Sequence, residues 1–257
     1  MRRTLGVLAV LLALVPASAG AGATRPALAL TATPAHVALA GTDRATVRIA
    51  NPGSRALVVD VARAGFSLDL QGRPHVASRG GARAATRWLA VRPARFVLAP
   101  GASRLLTVAS RLPRRAEPGD HDALVLLTTR PVRGAGVAVR VRIGVVVVVR
   151  APGRVVRHVA VRALRVHRLR RVRLIELVLA NRGNVTETLP RGAVRVVVRR
   201  GYVRLTLHAG ARELRPRTRG VVRFRAPSRL RGAATARVVV ISGPGRQAVT
   251  RTFRLRL

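Results

Sequence analysis

The sequence is 257 residues long, contains no cysteine and has a formal net charge of +40. The absence of cysteine excludes disulfide bonds, thiol catalysis and cysteine-ligated metals. All 49 basic residues are arginine, which indicates a GC-rich codon bias as well as a basic surface that attracts polyanions.

The N-terminus has the pattern of a secretory signal peptide. Arg2 and Arg3 precede an apolar stretch at 5–15, and small residues at 17–21 come after Pro16. The apolar stretch is roughly half as long as a segment that spans a bilayer. We therefore predict that residues 1–23 are a signal peptide and that the mature chain has no membrane span. The protein is expected to be exported, to the extracellular space, the cell surface or the periplasm.

The remaining chain has the pattern of β-strands. Segments at 45–49, 137–143, 194–198 and 253–257 alternate apolar residues with polar ones, and most of the polar ones are arginine. A period of two is typical of strands with one buried and one solvated face. Turn sequences such as Asn51-Pro52-Gly53 separate the strands at short intervals. We predict an all-β fold of two tandem Ig-like β-sandwich domains.

The chain also repeats itself. The segment 49–53 matches 179–183, and Leu98-Ala99-Pro100 matches Leu214-Arg215-Pro216. The first copy is longer because of a Gly/Arg/Ser-rich insertion at 71–86. The repeat predicts two related domains, at 24–151 and 152–257.

The first half carries motifs that resemble a known family. Residues 88–93 lead to 96–103, and then to 112–113 and 117–121. This order resembles the N-terminal peptidoglycan-binding domain of the WxL-interacting protein family, whose second, Ig-like host-binding domain resembles 172–184 and the chain after it. Both are similar to the wider group of pilus-chaperone-like (PapD-like) sandwiches. The resemblance implies that the first domain binds peptidoglycan and the second a protein, with Trp88, Asp120 and His121 as wall contacts.

The same residues also have structural explanations. Trp88 is either a platform for a glycan or a core residue, and Asp120 fits a turn in which its carboxylate bonds its own backbone. The densest basic run either binds anions or faces solvent. Its arginines are Arg165, Arg168, Arg170, Arg171 and Arg173.

The sequence offers little for catalysis. Of its nine acidic residues, only Glu117, Asp120 and Asp122 cluster, beside His121. No nucleophile elbow or phosphate-binding glycine loop is present. We expect no enzyme, no cofactor and no metal. Aromatic residues make up 2% of the chain, too few for stacking on bases, so no specific nucleic acid is expected.

Two functions from different classes remain open. The leading hypothesis is an adhesion module that attaches to anionic wall polymer or peptidoglycan and to a surface protein. The alternative is a pilus-type chaperone in which a strand at 137–149 pairs with a client subunit by β-augmentation. In that case the pairing residues are the alternate apolar ones, Val137, Val139, Val141, Ile143 and Val145. An open edge on this strand favours the chaperone, and a covered edge favours the adhesion module.

Overall fold

A computed structural model describes residues 26, 28–77, 83–130, 139–169, 172–227 and 231–257. The regular structure of these residues consists of β-strands, so the predicted all-β fold is confirmed. The predicted signal peptide at 1–23 lies outside the described residues.

The strands before residue 152 form two sheets. Their bounds are β1 (Thr31–Thr33), β2 (His36–Ala40), β3 (Arg44–Ala50), β4 (Leu57–Leu68), β5 (Pro74–Ala77), β6 (Leu89–Arg92), β7 (Arg95–Leu98), β8 (Ser103–Ser110), β9 (Gly119–Thr129) and β10 (Arg142–Ala151). One sheet has the order β1-β3-β8-β6. The other has the order β2-β10-β9-β4-β5, with β7 also paired to β4. The pairing of β2 with β10 is parallel.

The strands after residue 152 form three sheets. Their bounds are β11 (Val159–Arg168), β12 (Val172–Asn181), β13 (Glu187–Leu189), β14 (Val194–Arg200), β15 (Val203–His208), β16 (Arg212–Leu214), β17 (Arg219–Pro227), β18 (Ala233–Ser242) and β19 (Gln247–Arg256). The sheets have the orders β11-β12-β17, β13-β16 and β15-β14-β18-β19.

The alternating apolar residues form two separate cores. Val47, Leu106 and Val147 belong to a cluster drawn from residues 30–149, and Ile175 and Val196 belong to one drawn from 159–257. Each fully buried side chain of this kind stabilises the fold by roughly 1.5–3 kcal/mol. The residues before and after the predicted boundary at 151/152 are called domain 1 and domain 2 below.

The sequence repeat corresponds to a repeated asparagine corner. The Asn51 side chain donates to the carbonyl of Leu98, and its Oδ1 accepts from the N–H of Gly53. In domain 2 the Asn181 side chain donates to the carbonyl of Leu214, and its Oδ1 accepts from Gly183. Both asparagines are almost fully buried. The two segments that match in sequence thus form the same hydrogen bonds.

The strand predicted at 137–149 is shorter at its start than expected. Within the described residues it begins at Arg142, and Val139 to Val141 are irregular. The ladder to β9 loses its regular form here because the Thr129 Oγ1 accepts the N–H of Val141. Residues 137 and 138 lie outside the described part of the chain.

Candidate functional site

The candidate site is one edge of β10. On one side β10 pairs with β9 along its whole length, from Arg142 opposite Thr128 to Ala151 opposite Gly119. On its other side β2 pairs only with the stretch from Val146 to Arg150. No described strand pairs with the first four residues on that side.

The stretch of β10 that pairs with β2, Val146 to Arg150, shows which backbone groups of the strand point to this side. The Val146 N–H donates to the Ala35 carbonyl at 3.0 Å, and the Arg150 carbonyl accepts from the Gly41 N–H at 2.9 Å. Because every second residue of a strand points its N–H and C=O to the same side, Arg142 and Gly144 also point theirs to the β2 side. We call the backbone N–H and C=O groups of Arg142 and Gly144 the open edge.

The apolar side chains predicted to pair with a client differ in their availability. Val139 is half exposed, whereas Val141 and Ile143 are partly buried against the core of domain 1. Val145 has no exposed surface, so its side chain belongs to that core and is not available to a client. Alternation identifies the apolar face of a strand but not which of its residues the core occupies. Val137 lies outside the described residues.

The far end of β10 is held by a buried carboxylate. Arg150 donates to both oxygens of Asp120, from Nε at 2.6 Å and from Nη2 at 2.9 Å, and the Thr186 N–H of domain 2 donates to Oδ2 at 2.7 Å. Burial of Asp120 opposes its ionisation, but the hydrogen bonds from Arg150 and Thr186 outweigh this and hold its pKa below the ordinary value. This cluster joins β9, β10 and domain 2.

An ion pair crosses the domain interface beside this cluster. Arg215 of domain 2 contacts Asp122 at 2.5 Å, and its guanidinium lies 4.4 Å from the centre of the Phe66 ring. Burial raises the pKa of Asp122, while the charge of Arg215 acts in the opposite direction. The predicted acidic cluster is thus divided, because each aspartate has its own arginine partner.

Backbone contacts bring the two domains close together at the start of β9. The Asp120 N–H donates to the Asn184 carbonyl at 2.8 Å. Gly119 has a φ of +107°, and a Cβ there would lie 2.1 Å from that carbonyl oxygen. Only glycine therefore fits at this crossing. The insertion at 71–86 also reaches domain 2, because the Leu70 carbonyl just before it accepts the N–H of Val221 and the Gln71 carbonyl accepts from Arg212.

The residues predicted to contact a wall polymer lie mostly inside the molecule. Asp120 and His121 are 1% and 3% exposed. The His121 ring lies 4.2 Å from the Trp88 ring, and its Nε2 is 2.7 Å from the Glu117 carbonyl oxygen. Burial lowers the pKa of His121. Trp88 is partly buried against the core of domain 1, which favours its structural explanation.

The predicted basic patch is divided between two environments. Arg165 and Arg168 are exposed on β11, whereas Arg173 is 9% exposed and donates to the carbonyl of Leu169. Burial largely removes the guanidinium of Arg173 from solvent. Arg170 and Arg171 lie outside the described residues.

Sequence reasoning missed Arg150 and Arg215. The one signal for Arg150 is its position, directly after the apolar run 143–149. Its neighbour in register is Asp120. Arg215 gives no comparable signal, because its partner lies in the other domain.

The comparisons with known proteins concern the fold. No family model matches the chain, and no curated protein matches it. Among solved structures it is similar to the class 5 fimbriae chaperone CfaA, at a TM-score of 0.49 and 10% identity, over 89% of this chain and 100% of that one. It is also similar to the YadV chaperone, at a TM-score of 0.48 and 10% identity, over 88% and 99% of the two chains. The E. coli chaperone DraB has a TM-score of 0.43 and 13% identity, over 90% and 97%.

These findings correct the leading hypothesis. The fold is a pair of Ig-like β-sandwiches. The prediction of a wall-binding adhesion module is wrong, since its assigned contacts Asp120 and His121 are buried. No family model supports the resemblance to the WxL-interacting family. The described part of the chain contains no helix that could cross a membrane.

Proposed function

We propose that this protein is an exported, periplasmic chaperone of the pilus-assembly type, which binds a client subunit by strand pairing and catalyses no reaction. The observation that carries the proposal is the open edge of β10, next to a half of the same strand that β2 covers. An unpaired strand edge is a template for another strand. The open edge therefore supplies the mechanism of client binding.

The open edge can set the direction and the register in which a client strand pairs with β10. The N–H and C=O groups of Arg142 and Gly144 can form a ladder with a client strand, and such main-chain bonds give affinity without requiring one sequence. Val139 precedes them and is half exposed. Its side chain can enter an apolar groove of the client, which gives the pairing its selectivity.

The same edge is protected from indiscriminate pairing. The open part of β10 is four residues long, and it contains a charged residue, Arg142, and a glycine. Short edges and charged side chains are devices that limit aggregation. The net charge of +40 also makes two copies of this chain repel each other. The edge is therefore suited to a complementary client and not to a second copy.

The test uses an incomplete subunit as a probe. A purified pilus subunit that lacks its own donor strand is diluted from denaturant, and its aggregation is followed by light scattering with and without the mature protein. We expect suppression by the wild-type protein and about tenfold weaker suppression by Val139→Asp, because a carboxylate buried in the pairing groove costs more than about 1.4 kcal/mol. Val97→Asp is the matched control, since Val97 is 61% exposed on β7 of the same domain.

Two results would contradict the proposal. One is aggregation that continues unchanged in a large excess of wild-type protein. The other is equal suppression by Val139→Asp and Val97→Asp, which would show that suppression arises from the charge of the whole surface. Thermal melts of both variants establish that domain 1 remains folded.

A further inference from the structure

The outer sheet of domain 2 has an unusual charge composition. Its strands β14, β15, β18 and β19 contain no aspartate or glutamate. The carboxylates of domain 2 lie elsewhere and have partners: Glu176 pairs with Arg223, Glu187 with Arg157 and Glu213 with Arg215. The arginines of these four strands are Arg195, Arg199, Arg200, Arg204, Arg237, Arg251, Arg254 and Arg256.

The register of the sheet places five of these arginines on one face. Arg199 stands opposite Arg204 on one side and Thr235 on the other, and Thr235 stands opposite Arg254. Arg237 and Arg195 lie further along the same face, on β18 and β14. All five side chains are exposed. Like charges on neighbouring strands destabilise a sheet. Repulsion between these arginines therefore lowers the stability of the sheet, and a bound anion would reduce that repulsion.

Beyond the row of Arg199 and Arg204 the hairpin presents an aromatic tip. Tyr202 lies in the turn between β14 and β15 with its side chain fully exposed, and Val203 is 53% exposed beside it. The adjoining face is a shallow groove of about 710 Å³ lined mainly by arginine and threonine. An exposed aromatic next to guanidinium groups matches the boundary of a bilayer, where phosphates adjoin the acyl region.

We propose that this face and the Tyr202 tip dock on an anionic phospholipid surface. The arginines bind lipid phosphates, and the Tyr202 ring enters the headgroup region. The exposed apolar tip consists of Tyr202 and Val203. It is too small for a stable protein interface, which needs a desolvated core and buries about 800 Å² per side. Reversible membrane binding needs only a cluster of charge together with a small apolar insertion.

The test is flotation of the mature protein with vesicles of phosphatidylcholine containing about 30% phosphatidylglycerol, and with vesicles of phosphatidylcholine alone. We expect binding to the anionic vesicles only. The double variant Arg199→Gln/Arg204→Gln should lower the partition coefficient roughly 30-fold. The matched control is Arg165→Gln/Arg168→Gln on β11, which removes the same charge and should change the coefficient less than about threefold. Tyr202→Ser should weaken binding at unchanged charge.

Three outcomes would overturn the proposal. Equal losses in the two double variants would show general attraction of a +40 protein to any anionic surface. Absence of binding to anionic vesicles would remove the membrane as the occupant. Binding of soluble polyglutamate through Arg199 and Arg204, with no vesicle binding, would assign the face to an acidic protein. Far-UV circular dichroism of each variant verifies that the sheet is intact.

Discussion

The two halves of β10 share a strand, a neighbour in β9 and an apolar composition, but they differ at their second edge. From Val146 to Arg150 the strand pairs with β2 and ends at the buried Asp120 cluster. From Arg142 to Val145 the same side has no described strand. The availability of a strand thus depends on where its neighbour begins, and not on its own composition alone.

The boundary between the halves depends on the path of the N-terminal strands. β1 pairs with β3 in one sheet, and the chain then crosses to the other sheet, where β2 begins at His36 opposite Val146. The position of that crossing sets the length of the open edge. The covered half, fixed to domain 2 through Arg150 and Asp120, holds the open half in place.

The largest expected effect is a difference in unfolding free energy between variants in the two halves of β10. Val147 has no exposed surface, so Val147→Asp places a carboxylate in the core and should cost about 4 kcal/mol or more of unfolding free energy. Val139→Asp should change it by less than about 0.5 kcal/mol, because Val139 is half exposed. Urea unfolding measures both. Similar losses in the two variants would show that the start of the strand is as enclosed as its centre.

A smaller loss of stability is expected at the end of β10 that Asp120 holds. Asp120→Asn should cost about 2 kcal/mol, since it weakens hydrogen bonds to a charged, buried group. The folded pKa of Asp120 is lowered, so its contribution is present above the unfolded pKa of about 3.9 and is lost as the pH falls through the folded value. The variant should therefore lose part of the acid dependence of stability.

The control for this prediction lies in the open half. Arg142 makes one exposed hydrogen bond, from Nε to the Thr128 Oγ1 at 3.3 Å. Arg142→Gln should change stability by less than about 0.5 kcal/mol and leave the acid dependence as it is. An unchanged acid dependence in Asp120→Asn, measured by urea unfolding at several pH values, would contradict the role of the carboxylate.

The parts of the fold that depend on local patterns could be predicted from the sequence. Alternation identified β3, β14 and β19, and the Asn51 and Asn181 corners were visible as a repeat because each bonds its own turn. The open edge was not predictable, since it depends on where β2 begins, far from β10 in the chain. The carboxylate of Asp120 accepts the N–H of Thr186, which lies in the other domain. Local turn chemistry predicted that this carboxylate bonds its own backbone, whereas it bonds Arg150 and Thr186.

The most direct test of the open edge is hydrogen exchange of two amides in the free protein. Gly144 and Val146 point their N–H groups to the same side of β10, but only that of Val146 has a described acceptor, the carbonyl of Ala35. After correction for intrinsic rates, Gly144 should exchange at least about 100-fold faster, because Val146 must first open locally. Equal protection of the two amides would mean that the edge is covered, and the proposal of client binding by strand pairing would then be wrong.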